Sequence, residues 1–185
     1  NNLLKKKKIH QTLIDVRDIN NYQIKKYNAV VYLAAISNDP MGNEFQKTTF
    51  DINWKMAMKI AKISKKVGVK KFIFASSCSV YGEGKKKYLT EDSKCNPITH
   101  YSKNKLEIEK DLESISDKGF APIILRISTL FGFSPRMRFD LALSMFLVMA
   151  KLNKKIQLNS DRQSWSPHLY LDDLVKVFEK CQYTE

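Results

Sequence analysis

One stretch limits what this chain can fold into more than any other: Ala29-Val30-Val31-Tyr32-Leu33-Ala34-Ala35. An apolar run without alternation suits a strand covered on both faces, as in a parallel sheet. Two more such runs follow, Lys71-Phe72-Ile73-Phe74-Ala75 and Pro122-Ile123-Ile124-Leu125-Arg126-Ile127. Helical patterns lie between them, at residues 51–67, closed by Gly68 as a C′ residue, and at 100–116, stopped near Gly119. Strands alternating with crossovers of helical length predict an α/β fold with a doubly wound parallel sheet.

The flanking segments read less clearly. Residues 9–14 read as a short strand, and Asp18 as the cap of a short helix reaching Lys26. After Gly132 the texture changes to an irregular link at 133–140. A helix is expected at 140–152, short strands at 155–158 and 168–171, and a last helix at 172–181. The expected division is a core at 1–132 and a smaller lobe at 133–185.

Composition narrows the class. The chain has 185 residues, 43% hydrophobic and 28% charged, which describes an ordinary globular protein. Its formal net charge of +13 invites a nucleic-acid reading, but the lysines are scattered and only five arginines occur. Lacking a zinc-finger, RRM or KH signature, the charge speaks of solubility and steering, and no nucleic-acid partner is expected. Cys78, Cys95 and Cys181 are widely spaced, and His10, His100 and His168 have no metal-ligand spacing, so reduced thiols and no metal are expected. The apolar run at 141–150, interrupted by Ser144, is too short for a bilayer, and no signal peptide is read. A cytoplasmic protein is the expectation.

The chemistry gathers in Ser76-Ser77-Cys78-Ser79-Val80-Tyr81-Gly82 and His100-Tyr101-Ser102-Lys103-Asn104-Lys105. Lys105 follows Tyr101 by one helical turn, so both share a face. A fixed ammonium beside a phenol favours the phenolate, which makes Tyr101 a general base near neutral pH. Ser77, at the end of the preceding strand, would hydrogen-bond the substrate oxygen. The bare Tyr-x-x-x-Lys spacing is weak evidence, since Tyr22/Lys26 and Tyr81/Lys85 also show it. Only Tyr101 opens a long helical pattern, with Pro97 and Thr99 as start signals.

In joint order these stretches resemble the extended short-chain dehydrogenase/reductases of the NAD-dependent nucleotide-sugar epimerase/dehydratase group. The resemblance implies a Rossmann-like fold with part of a small C-terminal substrate lobe, and roles for matching positions. Ser77, Tyr101 and Lys105 match the catalytic set, and Asn53 the active-site asparagine. Asp15 and Val16 resemble the residues that hold adenine, and Leu33, Ala34 and Ala35 the strand end beside the cofactor, where Tyr101 and Lys105 also bind. Ser77, Cys78, Ser79, Thr129, Arg136 and Arg138 fall where substrate would lie. The implied cofactor is NAD, with NADP left open. The implied partners are a nucleotide sugar and a second copy, through the helices at 51–67 and 100–116. Trp54, Met56, Met58, Ile60 and Ile63 spread apolar surface wider than one core-facing stripe needs.

Two departures stand out. The Gly-x-x-Gly-x-x-Gly turn that admits the pyrophosphate to a helix N-terminus is absent, and the chain has only six glycines. The chain thus reads as N-terminally incomplete, lacking the first strand and glycine loop, and is expected to be inactive as it stands. Ser166 stands where many relatives carry a phosphate-binding arginine. Cys78-Ser79 replaces the Asp-Glu pair usual in a dehydratase, which favours epimerase or simple oxidoreductase chemistry. A dehydratase, or a catalytically inactive binding protein of the same fold, remains the alternative.

Overall fold

The computed structural model describes residues 9–37, 44–83, 88–158 and 166–183. The lysine clusters at 5–8 and 85–87, most of the 37–42 loop, and Gly84 lie outside them.

Three strands form the main sheet: β1 (Ala29–Tyr32), β2 (Lys71–Ser77) and β3 (Ile123–Ile127). They run parallel in the order β1-β2-β3, with Val30 opposite Phe72 and Phe74 opposite Ile124. The short helix α1 (Asn21–Ile24) precedes β1. The crossover from β1 to β2 is helical over α2 (Gln46–Phe50), a π turn (Asp51–Lys55) and α3 (Met56–Lys66). The crossover from β2 to β3 is α4 (His100–Ser114). A second parallel pair joins β4 (Thr129–Phe131) to β5 (His168–Tyr170), so it spans the junction expected at residue 132. Helix α5 (Ala142–Asn153) lies between those two strands, and α6 (Leu171–Tyr183) closes the described chain.

Alternation along β2 explains the layers. Phe72 and Phe74 point to one face, into a core with Ala57, Met58, Ile60 and Ala61 of α3 and Ile108 and Leu112 of α4. Ile73, fully buried, belongs to the other face, where α6 packs on β2. Helices on both faces of a parallel sheet confirm the doubly wound α/β expectation.

Several local expectations need correction. Residues 9–14 form no strand; Leu13 is fully exposed, and the described residues offer the segment no strand partner. Asp18 caps nothing: Asp15 caps a single turn at Val16–Asp18, and Asn20 caps α1 through a reciprocal box with Gln23. β1 stops at Tyr32 rather than Ala35, and, at one edge of the sheet the described residues form, it buries Tyr32 and only partly covers the rest. The helical crossover begins at Gln46, ahead of the expected 51, but ends as expected, with Gly68 at φ +79°. Residues 155–158 are irregular, and α6 starts at Leu171.

The core also claims much of the apolar surface assigned to a dimer seam. Met58 and Ile60 are buried within the chain, and Trp54 and Ile63 pack against the same core. Trp54 further donates its indole N–H to Asp111 at 2.7 Å and stacks on Phe50.

Candidate active site

Helix α4 starts where it does because Thr99 Oγ accepts from Ser102 N at 3.2 Å and Ser102 Oγ accepts from Thr99 N at 3.1 Å. This capping box fixes Tyr101 in the first turn and Lys105 in the second. Pro97, read as a start signal, lies outside the helix.

Lys105 is 4% exposed. Its ammonium donates to the Ala75 carbonyl at 2.6 Å, two residues before Ser77. It stands 4.6 Å from the centre of the Phe74 ring and 5.5 Å from that of Tyr101. Burial lowers its pKa to about 8, against the carboxylate of Glu109, which raises it. The structure thus brings Tyr101, Lys105 and the end of β2 together.

Ser77 ends β2 and caps the single turn Cys78–Tyr81. Its Oγ accepts from Ser79 N at 3.2 Å and from Ser79 Oγ at 2.9 Å, which leaves its own proton to donate outward. Gly82 follows at φ +63°, and a Cβ there would lie 2.0 Å from the Asn96 carbonyl oxygen, so only glycine fits. Cys78 is half-buried, and burial pushes its thiol pKa up.

Asn53 lies within the π turn, 2% exposed. Both ends of its amide hold one residue: Oδ1 accepts from Ile36 N at 2.7 Å, and Nδ2 donates to Ile36 O at 2.9 Å. It fixes the segment after β1, where Leu33 is 60% exposed and Ala34 is exposed too. Such a crevice, outside the carboxyl ends of parallel strands, is where an open α/β sheet receives ligands.

The turn that holds Asp15 and Val16 is tied to α3, where Lys59 Nζ donates to Arg17 O at 2.6 Å. The Arg17 guanidinium grips the Asp15 carboxylate at 2.9 and 2.7 Å and holds its pKa down at about 2. In the link after β4, Arg138 pairs with Asp140 at 2.5 Å and donates to Ser37 Oγ at 3.2 Å. Asp140, and to a smaller extent Tyr101, holds Arg138 in its charged form. Arg136 is exposed, and Thr129 opens β4 opposite His168.

Sequence reading missed the group beneath the motif. Glu109, 2% exposed, accepts from Ser76 Oγ and forms a two-pronged ion pair with Arg126, with Nε and Nη2 at 3.0 and 2.7 Å. A charged residue between the core positions Ile108 and Leu112 was the available signal.

A cleft of ≈ 1430 Å³ opens beside the motif, lined in part by Cys78, Ser79, Tyr81, Arg126, Thr129 and Leu174. Ser77, Tyr101 and Lys105 do not line it. Its Glu109 and Arg126 are already bonded to each other. Among the described residues there is no cluster fit for a metal, and no helix long and apolar enough to cross a membrane.

A dinucleotide fits this site at one end. Leu33 and Ala34 are exposed just past the end of β1, and Lys105, 5.5 Å from the Tyr101 ring, is held to β2 two residues before its end, which leaves room there for a nicotinamide riboside. Among the described residues, glycines 68, 82, 119 and 132 precede no helix N-terminus, so none forms a pyrophosphate turn.

Residues 1–181 match the NAD dependent epimerase/dehydratase family. The chain is 31% identical to UDP-glucose 4-epimerase of Vibrio cholerae over 180 residues, covering 91% of this chain and 53% of that enzyme. Its fold superposes with a TM-score of 0.84 on UDP-N-acetylglucosamine 4-epimerase of Methanobrevibacter ruminantium M1, at 23% identity, covering 93% of this chain and 57% of that one. It superposes with a TM-score of 0.81 on UDP-glucuronic acid 4-epimerase of Bacillus cereus in complex with NAD, at 25% identity, covering 93% and 54%. The chain spans about half the length of the curated relatives it matches. A family match along nearly the whole sequence, on a parallel sheet of the same architecture, makes this chain a member of the NAD dependent epimerase/dehydratase family.

Proposed function

We infer that this chain carries the proton-transfer half of a nucleotide-sugar epimerase or related oxidoreductase. Tyr101 is the general base: its phenolate takes the proton from a sugar hydroxyl as that carbon is oxidised to the ketone, and returns it when the ketone is reduced. Ser77 donates its free proton to the same oxygen and stabilises the charge that develops there. Lys105 holds the phenolate by its positive charge. Asn53 orders the 33–36 segment beside it, and Arg138 stands where it can meet a phosphate or carboxylate of the substrate. NAD, when bound, supplies the hydride acceptor and donor. Leu33, Ala34 and Ala35, with Asp15 and Val16, would hold its ribose and adenine.

One observation carries this reading: a buried ammonium 5.5 Å from the Tyr101 ring, locked to the strand that ends in Ser77. Burial separates it from a surface pair such as Lys25 and Tyr22, also close at 4.7 Å but with the Tyr22 ring exposed. Cys78-Ser79 in place of an acidic pair favours epimerisation over dehydration. A homodimer through the 51–67 and 100–116 helices, and a cytoplasmic setting, belong to the same proposal.

The test is turnover of a UDP-sugar by Tyr101→Phe, in a preparation of which the unsubstituted form is active. A loss of roughly 10²–10⁴-fold is expected for a missing general base. Near-normal turnover would remove Tyr101 from the mechanism. Calorimetric titration of NAD into this chain should show binding weaker than micromolar, because the described residues offer the pyrophosphate no glycine turn.

A further inference from the structure

Glu109 lies one helical turn past Lys105 and two past Tyr101, on the same stripe of α4. Its carboxylate joins three elements: its own helix, Ser76 next to Ser77 on β2, and Arg126 on β3. Arg126 extends the chain of bonds. Its Nη1 donates to the Tyr81 hydroxyl at 2.9 Å and to the Glu91 carbonyl at 3.0 Å, and its guanidinium lies 5.0 Å from the centre of the Tyr81 ring. Fold stability alone does not explain such a group, since a well-packed apolar pair in place of a buried ion pair is often as stable or more so. The proton transfer assigned to Ser77 and Tyr101 does not use it either.

We propose that Glu109 is a positioning residue: bonded to Arg126 and to Ser76, the neighbour of the Ala75 whose carbonyl holds Lys105, it sets where Lys105 stands under Tyr101 and seats a buried carboxylate one helical turn from that ammonium. This rests on the reading of Lys105 given above. The groups that face Lys105 are the Ala75 carbonyl and Phe74 ring from β2, and Tyr101 and Glu109 from its own helix. Arg126, on β3, stands behind Glu109. Of these, Glu109 opposes the desolvation that lowers the Lys105 pKa.

The test is an NMR titration of this chain carrying ¹³C-labelled lysine, with the Lys105 signal assigned by its loss in Lys105→Arg. Glu109→Gln keeps the size and removes the charge, and should lower the Lys105 midpoint by roughly 1 unit. Because that change takes the carboxylate from Arg126, the double variant Glu109→Gln/Arg126→Met removes both charges of the pair together. Its midpoint should fall as well, in a protein whose circular dichroism matches the wild type. A merely structural Glu109 would act in the opposite direction, its loss admitting water and raising the midpoint towards the ordinary lysine value. A midpoint that rises or stays put in either folded variant overturns the proposal. The titration reads no turnover, so its failure leaves Tyr101 as base intact, and a fully active Tyr101→Phe leaves the placement of Lys105 by Glu109 intact.

Discussion

The sheet around β2 and the segment from β4 to α6 are built on different terms. Around β2, Phe72, Phe74, Ile108 and Leu112 are at most 1% exposed, and the charges Lys105 and Glu109 are buried with partners on other elements. In the later segment α5 is strongly apolar in sequence, yet Leu147 is 69% and Leu152 74% exposed, and Ser144 is its one buried residue. Its charges pair locally, Arg138 with Asp140 and Lys176 with Asp173. The groups assigned to proton transfer thus sit where the scaffold is over-determined. The arginines assigned to substrate sit where it is loosely covered and can adapt. A base must hold its height over one carbon, whereas a phosphate can be met from several directions.

Four measurements can break or sharpen this contrast. The largest effect should come from Glu109→Ala, which leaves Arg126 without its partner and should cost roughly 3–5 kcal/mol in urea denaturation. Asp140→Ala, in the exposed pair, should leave the denaturation midpoint where it was. Equal losses at the two positions would erase the contrast. Next, Leu112→Ala should cost about 2–5 kcal/mol through the cavity it opens, while Leu147→Ala should stay within about 0.5 kcal/mol. A large loss at Leu147 would mean that α5 is covered in solution.

Asn53→Ala should cost about 1–3 kcal/mol, since it strips both hydrogen bonds from Ile36. Hydrogen exchange at Ile36 should quicken while that of β2 holds; unchanged exchange at Ile36 would show that other contacts order the segment. The smallest effect is a pH slope. The folded pKa of Lys105 is lowered to about 8, so above that the unfolded chain holds the extra proton and stability rises with pH. Between pH 8 and 9 the wild type should gain about 1 kcal/mol relative to Lys105→Met, in a comparison that cancels the opposing Cys78 and Tyr32. Parallel pH profiles for the two proteins would place Lys105 in contact with water.

The crossover helices and parallel strands were legible because their periodicity is strong and their ends are chemically marked. Thr99 and Gly68 stand where a cap and a C′ residue should be. The Tyr101/Lys105 pairing was legible because it is local in sequence. Long-range features were not. Glu109 meets Ser76 across 33 residues, and Arg138 meets Ser37 across 101, so no local pattern announces either contact. Residues 9–14 misled because their composition suits a strand, but a strand exists only with a neighbour to pair with. Asn53 was matched by position, yet its grip on Ile36 depends on a turn that sequence periodicity does not show.

That turn can be stated as chain arithmetic. Met56 N donates to Asp51 O, five residues back, so the helical crossover holds one residue more than an unbroken α-helix would. One residue is about 100° of rotation. The surplus lets α3 turn Ala57, Met58 and Ala61 to the sheet while Asn53 still faces the end of β1. Deleting a single residue between 51 and 55 would restore a regular helix. It would also turn everything before it by more than a quarter circle, pulling Asn53 away from Ile36 while Ala57, Met58 and Ala61 of α3 keep their places against the sheet. In this crossover the length of the chain, counted to the residue, is itself part of the site.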